Sequence, residues 1–249
     1  MSQLLLDIGN TRIKWAVREA GSIGTPQALS HGDPAWLAGF DAALALMPEP
    51  AEVLIAAVAP ELLTLDALRV LEARWPRCPS MRAQSAARLA RFSSAYAQPE
   101  RLGVDRFLAC AAAAESLQPL LLLGCGTALT IDLIDADGRH HGGLIAPAPE
   151  TMRAAVLSRT ARVHWLRAGA AQDFGSNTED CLESGVWTAA AGMVERALRK
   201  GTAVLGAVPV LMAHGGAAAA LASLLDVPLR IVPDLVMQGL ALWADQRAS

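Results

Sequence analysis

The chain has 249 residues, of which 53% are hydrophobic and 18% are charged, and its formal net charge is −3. This composition excludes intrinsic disorder, because disordered chains are poor in apolar residues and rich in charge, and it excludes the strongly basic surface typical of nucleic-acid binding. The length predicts one or two domains. The four cysteines lack metal-binding spacing, so reduced thiols are predicted rather than a zinc site or a disulfide framework.

Two segments bear on the compartment of the protein. No basic residue precedes Asp7, so the N-terminus lacks the pattern of a secretory signal. Residues 201–225 carry no Asp, Glu, Lys or Arg, but Pro209, His214 and a glycine pair favour a strand, a turn and a small-residue helix over a membrane span. The sequence therefore predicts a cytoplasmic protein with no membrane and no nucleic-acid partner.

The first half of the chain alternates apolar runs with helical patterns. Residues 4–8 and 13–17 flank a Gly-Asn-Thr turn and predict a β-hairpin. Residues 53–58 form a continuous apolar run, which is typical of a strand buried on both faces. Helices are predicted at 34–47, 60–74 and 103–117, and an irregular segment at 77–96.

The second half begins with a similar unit. Residues 120–134 predict a strand, a glycine turn and a second strand, and residues 142–147 predict a third strand. The remaining predictions are strands at 210–213 and 229–232 and helices at 149–158, 177–200, 217–225 and from 235 onward.

Residues 4–11 align without a gap with residues 121–128, an offset of 117. A chance match of two Leu-rich strands with glycines is the alternative, but an offset near half the chain favours two similar domains, at residues 1–117 and 118–249. Strands followed by helices in each half predict an α/β layer architecture.

Three short patterns could carry chemistry. Asp7 ends a buried strand and precedes the turn at Gly9, an arrangement that can place a carboxylate beside a metal-bound phosphate while backbone N–H groups approach the phosphate oxygens. The second turn, with two glycines and Thr127, could hold a polyphosphate from the other side of a cleft. Either turn could also be an ordinary hairpin turn. Neither a Walker loop nor a GxGxxG fingerprint is present.

The third pattern is Asp105-Arg106, which follows Gly103 at the start of an apolar helix. An Asp there could accept a proton from a substrate hydroxyl, and the Arg could hold a carboxylate or a phosphate by two hydrogen bonds. The alternative is a helix-capping Asp beside a solvent-exposed Arg.

Taken in order, the motifs cover nearly the full chain: Asp7-x-Gly9-Asn10-Thr11-x-x-Lys14, Tyr96, Gly103-x-Asp105-Arg106, Gly126-Thr127-Ala128-x-Thr130-x-Asp132, Gly142-Gly-x-Ile-x-Pro147, Gly175-x-Asn-Thr178 and Pro233-x-Leu-Val-x-x-Gly239-Leu. This order resembles the type III pantothenate kinases, a family that includes proteins described as Bvg accessory factor. The resemblance implies two ribonuclease-H-like domains of the acetate and sugar kinase, Hsp70 and actin superfamily, with an interdomain cleft. It also implies ATP-dependent phosphorylation of pantothenate to 4′-phosphopantothenate, the first step of coenzyme A biosynthesis, by a homodimer.

The resemblance also implies the roles of individual residues. ATP would be bound, with magnesium near Asp7, by Asp7, Ile8, Gly9, Asn10, Thr11, Arg12, Ile13, Lys14 and Thr127. Pantothenate would be bound by Tyr96, Gly103, Val104, Asp105, Arg106 and Thr178, with Asp105 as the general base.

The sequence departs from the family pattern at three places. The Asp that helps the family hold a monovalent cation (K⁺ or NH₄⁺) is Gly124 here, so that side-chain oxygen is missing. Two outcomes are open: activity depends less on the ion, or backbone carbonyls hold it. Ala148 follows Pro147 in place of a Gly, and His214 replaces the Thr of a Thr-Gly-Gly pattern near the nucleotide base. Two other functions therefore stay open: a non-catalytic or regulatory protein of the same fold, and a kinase of another small hydroxylated substrate such as a sugar.

Overall fold

The computed structural model describes residues 2–160 and 166–248. The chain divides into two compact units: unit 1 comprises Met1–Glu115 and Asp234–Ser249, and unit 2 comprises Ser116–Pro233. Each unit contains one main β-sheet with helices, so the predicted α/β class is confirmed.

The elements of unit 1 begin with the predicted hairpin. In chain order they are β1 (Ser2–Ile8), β2 (Arg12–Glu19), β3 (Ser22–Ile23), β4 (Gln27–Ser30), α1 (Trp36–Ala45), β5 (Glu52–Ala57), α2 (Glu61–Arg74), β6 (Ser80–Arg82), β7 (Arg88–Leu89), β8 (Phe92–Ser93), a 3₁₀ turn (Pro99–Arg101), α3 (Val104–Ala114) and α7 (Leu235–Ala248). The sheet order is β3-β2-β1-β5-β6, with β4 also paired to β2. Strand β1 is antiparallel to β2 and parallel to β5.

Strand β1 lies in the middle of this sheet because it is apolar on both faces. Leu4, Leu6 and Ile8 pack in a core with residues of α1 and α2, while Leu5, which points to the opposite face, is also fully buried. Helices α3 and α7 contact β5 and β1, respectively, so the sheet is covered on both faces. This burial leaves the carboxyl end of β1 as the place where a polar side chain can emerge.

The last helix lies in unit 1, whereas the sequence predicted that all of residues 118–249 belong to the second domain. Helix α7 packs against the Ala-rich α3, and a Cβ on Gly239 would overlap the backbone carbonyl of Leu108. Small residues on both helices therefore permit a close approach. The charged pair of Arg18 and Asp245, 2.7 Å apart, also joins α7 to strand β2.

Unit 2 repeats the arrangement of unit 1. Its elements are β9 (Leu120–Cys125), β10 (Ala128–Ile134), β11 (His140–Pro147), α4 (Pro149–Arg159), α5 (Thr178–Leu205), β12 (Val210–His214), α6 (Ala218–Ala222) and β13 (Leu229–Ile231). The sheet order is β11-β10-β9-β12-β13, so β9 takes the place that β1 has in unit 1, with an antiparallel hairpin partner on one side and a parallel strand on the other. Among the described residues, no helix combines the length and the apolar character that crossing a membrane requires.

Candidate active site

Asp7 lies near the carboxyl end of β1, directly opposite Lys14 of β2. Its side chain is buried, with 8% of the residue exposed. Burial raises the pKa of Asp7 from 3.8 to about 6, the nearby Lys14 ammonium opposes this rise, and the Asp105 carboxylate adds to it. A carboxylate that is costly to ionise in this way gains most from a cation placed beside it.

The turn after Asp7 is held in shape by backbone and side-chain hydrogen bonds. The N–H of Gly9 donates to the carbonyl of Arg12 at 2.9 Å, and the N–H of His31 donates to the carbonyl of Thr11 at 2.9 Å. The Nε2–H of His31 donates to the carbonyl of Gly9 at 3.0 Å. Burial lowers the pKa of His31, which favours the neutral ring. His31 is thus a positioning residue that the sequence pattern did not indicate, because it lies on a different part of the chain.

The third predicted pattern lies at the first turn of α3. Asp105 Oδ1 accepts the backbone N–H of Arg106 at 2.8 Å. The Arg106 side chain is buried and donates Nη1–H to the Tyr96 hydroxyl oxygen at 3.2 Å. Since the Lys14 and Asp105 charges also act on Asp7, the structure brings five of the predicted side chains into one region of unit 1: Asp7, Lys14, Tyr96, Asp105 and Arg106.

Gly103 has a steric role beside Asp105. It precedes α3 with φ of −51°, a backbone conformation open to any residue, but a Cβ added there would lie 2.9 Å from Asp105 Oδ1. A side chain at position 103 would therefore push the Asp105 carboxylate away rather than distort the backbone. The glycine thus determines where the carboxylate points.

We expect Gly103→Ala to fold normally and to lose about 10- to 100-fold in kcat, since a misplacement of ~1 Å at a reacting group can cost roughly 100-fold. Steady-state kinetics together with thermal unfolding would measure both effects. Gly192→Ala is the matched control, because a Cβ at this helical glycine meets open space. A Gly103→Ala variant as active as Gly192→Ala would contradict this role.

The other predicted residues of the hairpin and of α3 differ in burial. Ile8 and Ile13 are fully buried in the apolar core, so their side chains hold the hairpin in place. Asn10, Thr11 and Arg12 are exposed in and after the turn. Val104 begins α3 and is half-buried.

In unit 2, Thr127 lies in the turn that corresponds to the turn after Asp7. The N–H of Gly126 donates to the carbonyl of Ala128 at 3.1 Å and closes this turn. The Thr127 carbonyl accepts the hydroxyl of Thr151, at the start of α4, at 2.7 Å. The turn is therefore tied to a neighbouring helix through its backbone.

Thr178 begins the 28-residue helix α5. Asn177 caps this helix by accepting the N–H of Asp180 at 3.0 Å. Gly175 lies against the first turn so closely that a Cβ would overlap the backbone N of Cys181, which explains the glycine of this motif. The helix start is thus a closely packed and well-defined piece of backbone.

Asp180 is a second positioning residue that the sequence pattern did not indicate. Its buried carboxylate accepts hydrogen bonds from the backbone of Ala170 and from the side chains of Arg167 and Asn177, which lower its pKa to about 2, the Ala170 bond contributing most. It therefore fastens the segment before α5 to the helix start.

Magnesium suits the region around Asp7. Mg²⁺ is usually held by one or two carboxylates together with substrate phosphates and water, and Asp7 is a buried carboxylate with Asp105 near enough to affect its pKa. Within residues 2–160 and 166–248, no group of three or more His, Cys, Asp or Glu side chains could hold a metal ion by itself. Phosphate oxygens and water would therefore complete the coordination.

The main sheets of the two units have the same strand order, and each begins with a hairpin and a polar turn. This arrangement can be compared with solved structures. Over 99% of this chain, the fold is similar to a protein from Campylobacter jejuni described as a Baf family transcriptional activator (TM-score 0.62, 18% identity, 100% of that chain). It is also similar over 99% to a protein from Sinorhizobium meliloti described as a 2-dehydro-3-deoxygalactonokinase (TM-score 0.57, 14% identity, 98% of that chain). The chain thus shares with these two proteins an α/β fold, which here consists of two units that each contain one main sheet with helices.

The sequence comparisons identify the family. Residues 3–200 match the family model described as type III pantothenate kinase. A protein from Stenotrophomonas maltophilia (strain K279a) named type III pantothenate kinase is 41% identical over 244 residues, 98% of each chain. The chain belongs to the type III pantothenate kinase family.

Proposed function

We propose that this protein transfers the γ-phosphate of ATP to the primary hydroxyl of pantothenate, giving 4′-phosphopantothenate and ADP, the first step of coenzyme A biosynthesis. The observation that carries the proposal is the buried Asp7, with Asp105 and the Tyr96–Arg106 pair in the same unit, in a member of this family. The relatives named type III pantothenate kinase support the same reaction.

The residues of unit 1 would divide the work as follows. Asp7 would hold magnesium and Lys14 would face the phosphates, while the backbone of the turn after Gly9 approaches phosphate oxygens. Bound magnesium would neutralise charge on the β- and γ-phosphates. Phosphoryl transfer has a loose transition state, so positioning and charge neutralisation supply most of the catalysis.

Asp105 would act on the acceptor. As the bond from the pantothenate hydroxyl oxygen to the γ-phosphorus forms and the bond to ADP breaks, Asp105 accepts the hydroxyl proton. Arg106 would bind the pantothenate carboxylate or a phosphate with two parallel N–H bonds. The Tyr96 hydroxyl would restrain the guanidinium, since it accepts one of its N–H groups.

Two residues of unit 2 would also contact the substrates. Thr127 would contact phosphate and Thr178 would contact pantothenate, as the family resemblance implies. The position of Thr178 at the first turn of a long helix suits an anionic substrate, because the N–H groups there point outward and carry partial positive charge. We also propose a cytoplasmic location, because ATP is available there.

A substrate panel tests the reaction. Purified protein with Mg-ATP should release ADP when pantothenate is added and not when sugars or amino sugars are added. ADP release that depends on a sugar would instead support a kinase of another hydroxylated substrate. No release with any acceptor, together with failure to complement a bacterium lacking pantothenate kinase, would support a non-catalytic homologue.

We also propose that the protein forms a homodimer, and the surface of unit 2 supports this. Strand β11 is at the edge of its sheet and exposes two large apolar side chains, Leu144 at 48% and Ile145 at 65%. Phe174, in the same unit, is 92% exposed. Proteins usually cover exposed apolar edge strands, because their free backbone groups can pair with other chains and cause aggregation. A second copy of this chain would cover β11.

We expect Ile145→Lys to shift the protein from dimer to monomer at micromolar concentration, because burying an unpaired ammonium in an apolar interface is strongly unfavourable. Size-exclusion chromatography with light scattering would measure the mass. Leu62→Lys is the matched control, since Leu62 is also 66% exposed but lies on α2 in unit 1. A monomeric wild type, or an Ile145→Lys variant that stays dimeric, would contradict this interface.

A further inference from the structure

The internal repeat gives Asp7 a counterpart in unit 2. The offset of 117 that aligns residues 4–11 with 121–128 places Gly124 at the position of Asp7. The strand pairing agrees: Asp7 of β1 faces Lys14 of the antiparallel partner, and Gly124 of β9 faces Thr130 of its own antiparallel partner. Unit 1 therefore carries a carboxylate at this place, and unit 2 carries no side chain there.

The space above Gly124 is filled from both neighbouring strands. On the parallel side, Gly124 is paired with His214 of β12. A Cβ added at Gly124 would overlap the Thr130 hydroxyl and would lie 3.3 Å from His214 Nε2 and 3.6 Å from its Cε1. The imidazole thus occupies the volume that a side chain at position 124 would need.

The backbone after His214 is compatible only with glycine. Gly215 has φ of +99°, and a Cβ there would overlap the carbonyl of Cys125. The chain therefore turns tightly against β9 directly after His214. This turn keeps the imidazole over Gly124, two residues before the Gly126–Thr127 turn.

These residues do not fit the monovalent cation that the family resemblance implies at this position. Potassium is a hard cation that takes several oxygen ligands, but Gly124 has no side-chain oxygen. The side chains beside it offer one hydroxyl oxygen, from Thr130, and the imidazole of His214. The volume that the Cβ of an acidic side chain at position 124 would need is instead filled by Thr130 and His214.

We propose that His214 takes the place of the monovalent cation, so that nucleotide binding and phosphoryl transfer by this protein do not require K⁺ or NH₄⁺. An imidazole N–H can donate a hydrogen bond to a phosphate oxygen, which stabilises the negative charge that the ion would otherwise neutralise. This inference rests on the proposed function, because it assigns His214 to the phosphates of the bound nucleotide and not to the nucleotide base, where the family resemblance puts this position.

The salt test uses the full-length protein in buffers of equal ionic strength that contain tetramethylammonium, sodium, potassium or ammonium chloride. Pantothenate-dependent ADP release and the Kd of Mg-ATP, measured by calorimetry, should both change less than about threefold among these salts. Stimulation of either by potassium or ammonium of about tenfold or more would overturn the inference. Absent turnover in every salt would contradict the proposed function, and the Kd series would still decide whether ATP binding needs the ion.

A set of variants tests the assignment to His214 itself. His214→Ala should weaken Mg-ATP binding about tenfold or more in every salt, since it removes a hydrogen bond to a charged group. His214→Gln, which keeps an N–H donor, should recover part of the affinity, and a purely structural role would not give this recovery. His141→Ala is the control. His141 lies on β11, and its Nε2 is 2.8 Å from Asp135 Oδ2. Unchanged ATP affinity in a folded His214→Ala variant would overturn the assignment.

Discussion

Replacing Asp105 with Asn should lower kcat for pantothenate phosphorylation by about 10²–10⁴-fold, the usual contribution of a general base. Asparagine has nearly the same shape but cannot accept the hydroxyl proton. Its side-chain oxygen can still accept the backbone N–H of Arg106, so the start of α3 should keep its form. Steady-state kinetics would measure kcat and KM, and calorimetry should show a Kd of Mg-ATP within a few-fold of the wild type.

Asp137→Asn is a matched control, because Asp137 lies in an exposed turn of unit 2 and the substitution removes the same charge. It should leave kcat unchanged. Near-normal turnover by Asp105→Asn would remove Asp105 from the role of base. The Asp105→Asn variant should also show a lower pKa for Asp7, because the Asp105 charge contributes to the raised value.

Replacing Asp7 with Asn should abolish Mg-ATP-dependent turnover and should stabilise the free protein. The turnover is lost because an amide lacks the charge that holds magnesium. The stability rises because burial makes ionisation of Asp7 costly, as its pKa of about 6 against the ordinary 3.8 indicates. At neutral pH this difference corresponds to about 3 kcal/mol, and it should raise Tm by about 6–12 °C.

The stabilisation expected from Asp7→Asn should depend on pH. Between pH 3.8 and about 6 the native protein binds more protons at Asp7 than the unfolded chain does. The contribution of Asp7 to stability therefore falls as the pH rises through this window and stays low above it. Thermal unfolding from pH 4 to 8 should show Asp7→Asn most stabilised above pH 6 and nearly equal to the wild type at pH 4. An Asp7→Asn variant less stable than the wild type at pH 7.5, or one that turns over normally, would contradict the account.

The hairpins and the buried strands could be predicted from the sequence because their signal is local. The apolar runs before Asp7 and before Gly124 are continuous, and each is followed by turn residues. The structure confirms both hairpins, β1–β2 and β9–β10. The predicted helices also occur, most with boundaries within a few residues, although α6 is only five residues long.

Other features depend on contacts that no local pattern reveals. The short strands β3, β4 and β6 carry few apolar residues and form because an adjacent edge offers backbone partners. The place of α7 depends on how closely Gly239 can approach α3.

The residues of the candidate site also fall into two groups: those with a local sequence signal and those that depend on distant contacts. Asp7 and Asp105 have recognisable neighbours in the sequence, since each stands beside a glycine motif. His31 and Asp180 were missed because each acts on backbone groups that are distant along the chain or in an irregular segment. The meeting of His214 with Gly124 likewise requires the pairing of β12 with β9, which joins positions far apart in sequence.

The most direct test of the proposed reaction is to quantify ADP and phosphorylated pantothenate together, by mass spectrometry, after incubation of the purified protein with Mg-ATP and pantothenate. The wild type should form the two products in equal amounts, and Asp105→Asn should form both at a rate lower by about 10²–10⁴-fold. ADP formed without phosphorylated pantothenate, or equal rates for the two proteins, would contradict the assignment of this site to pantothenate phosphorylation.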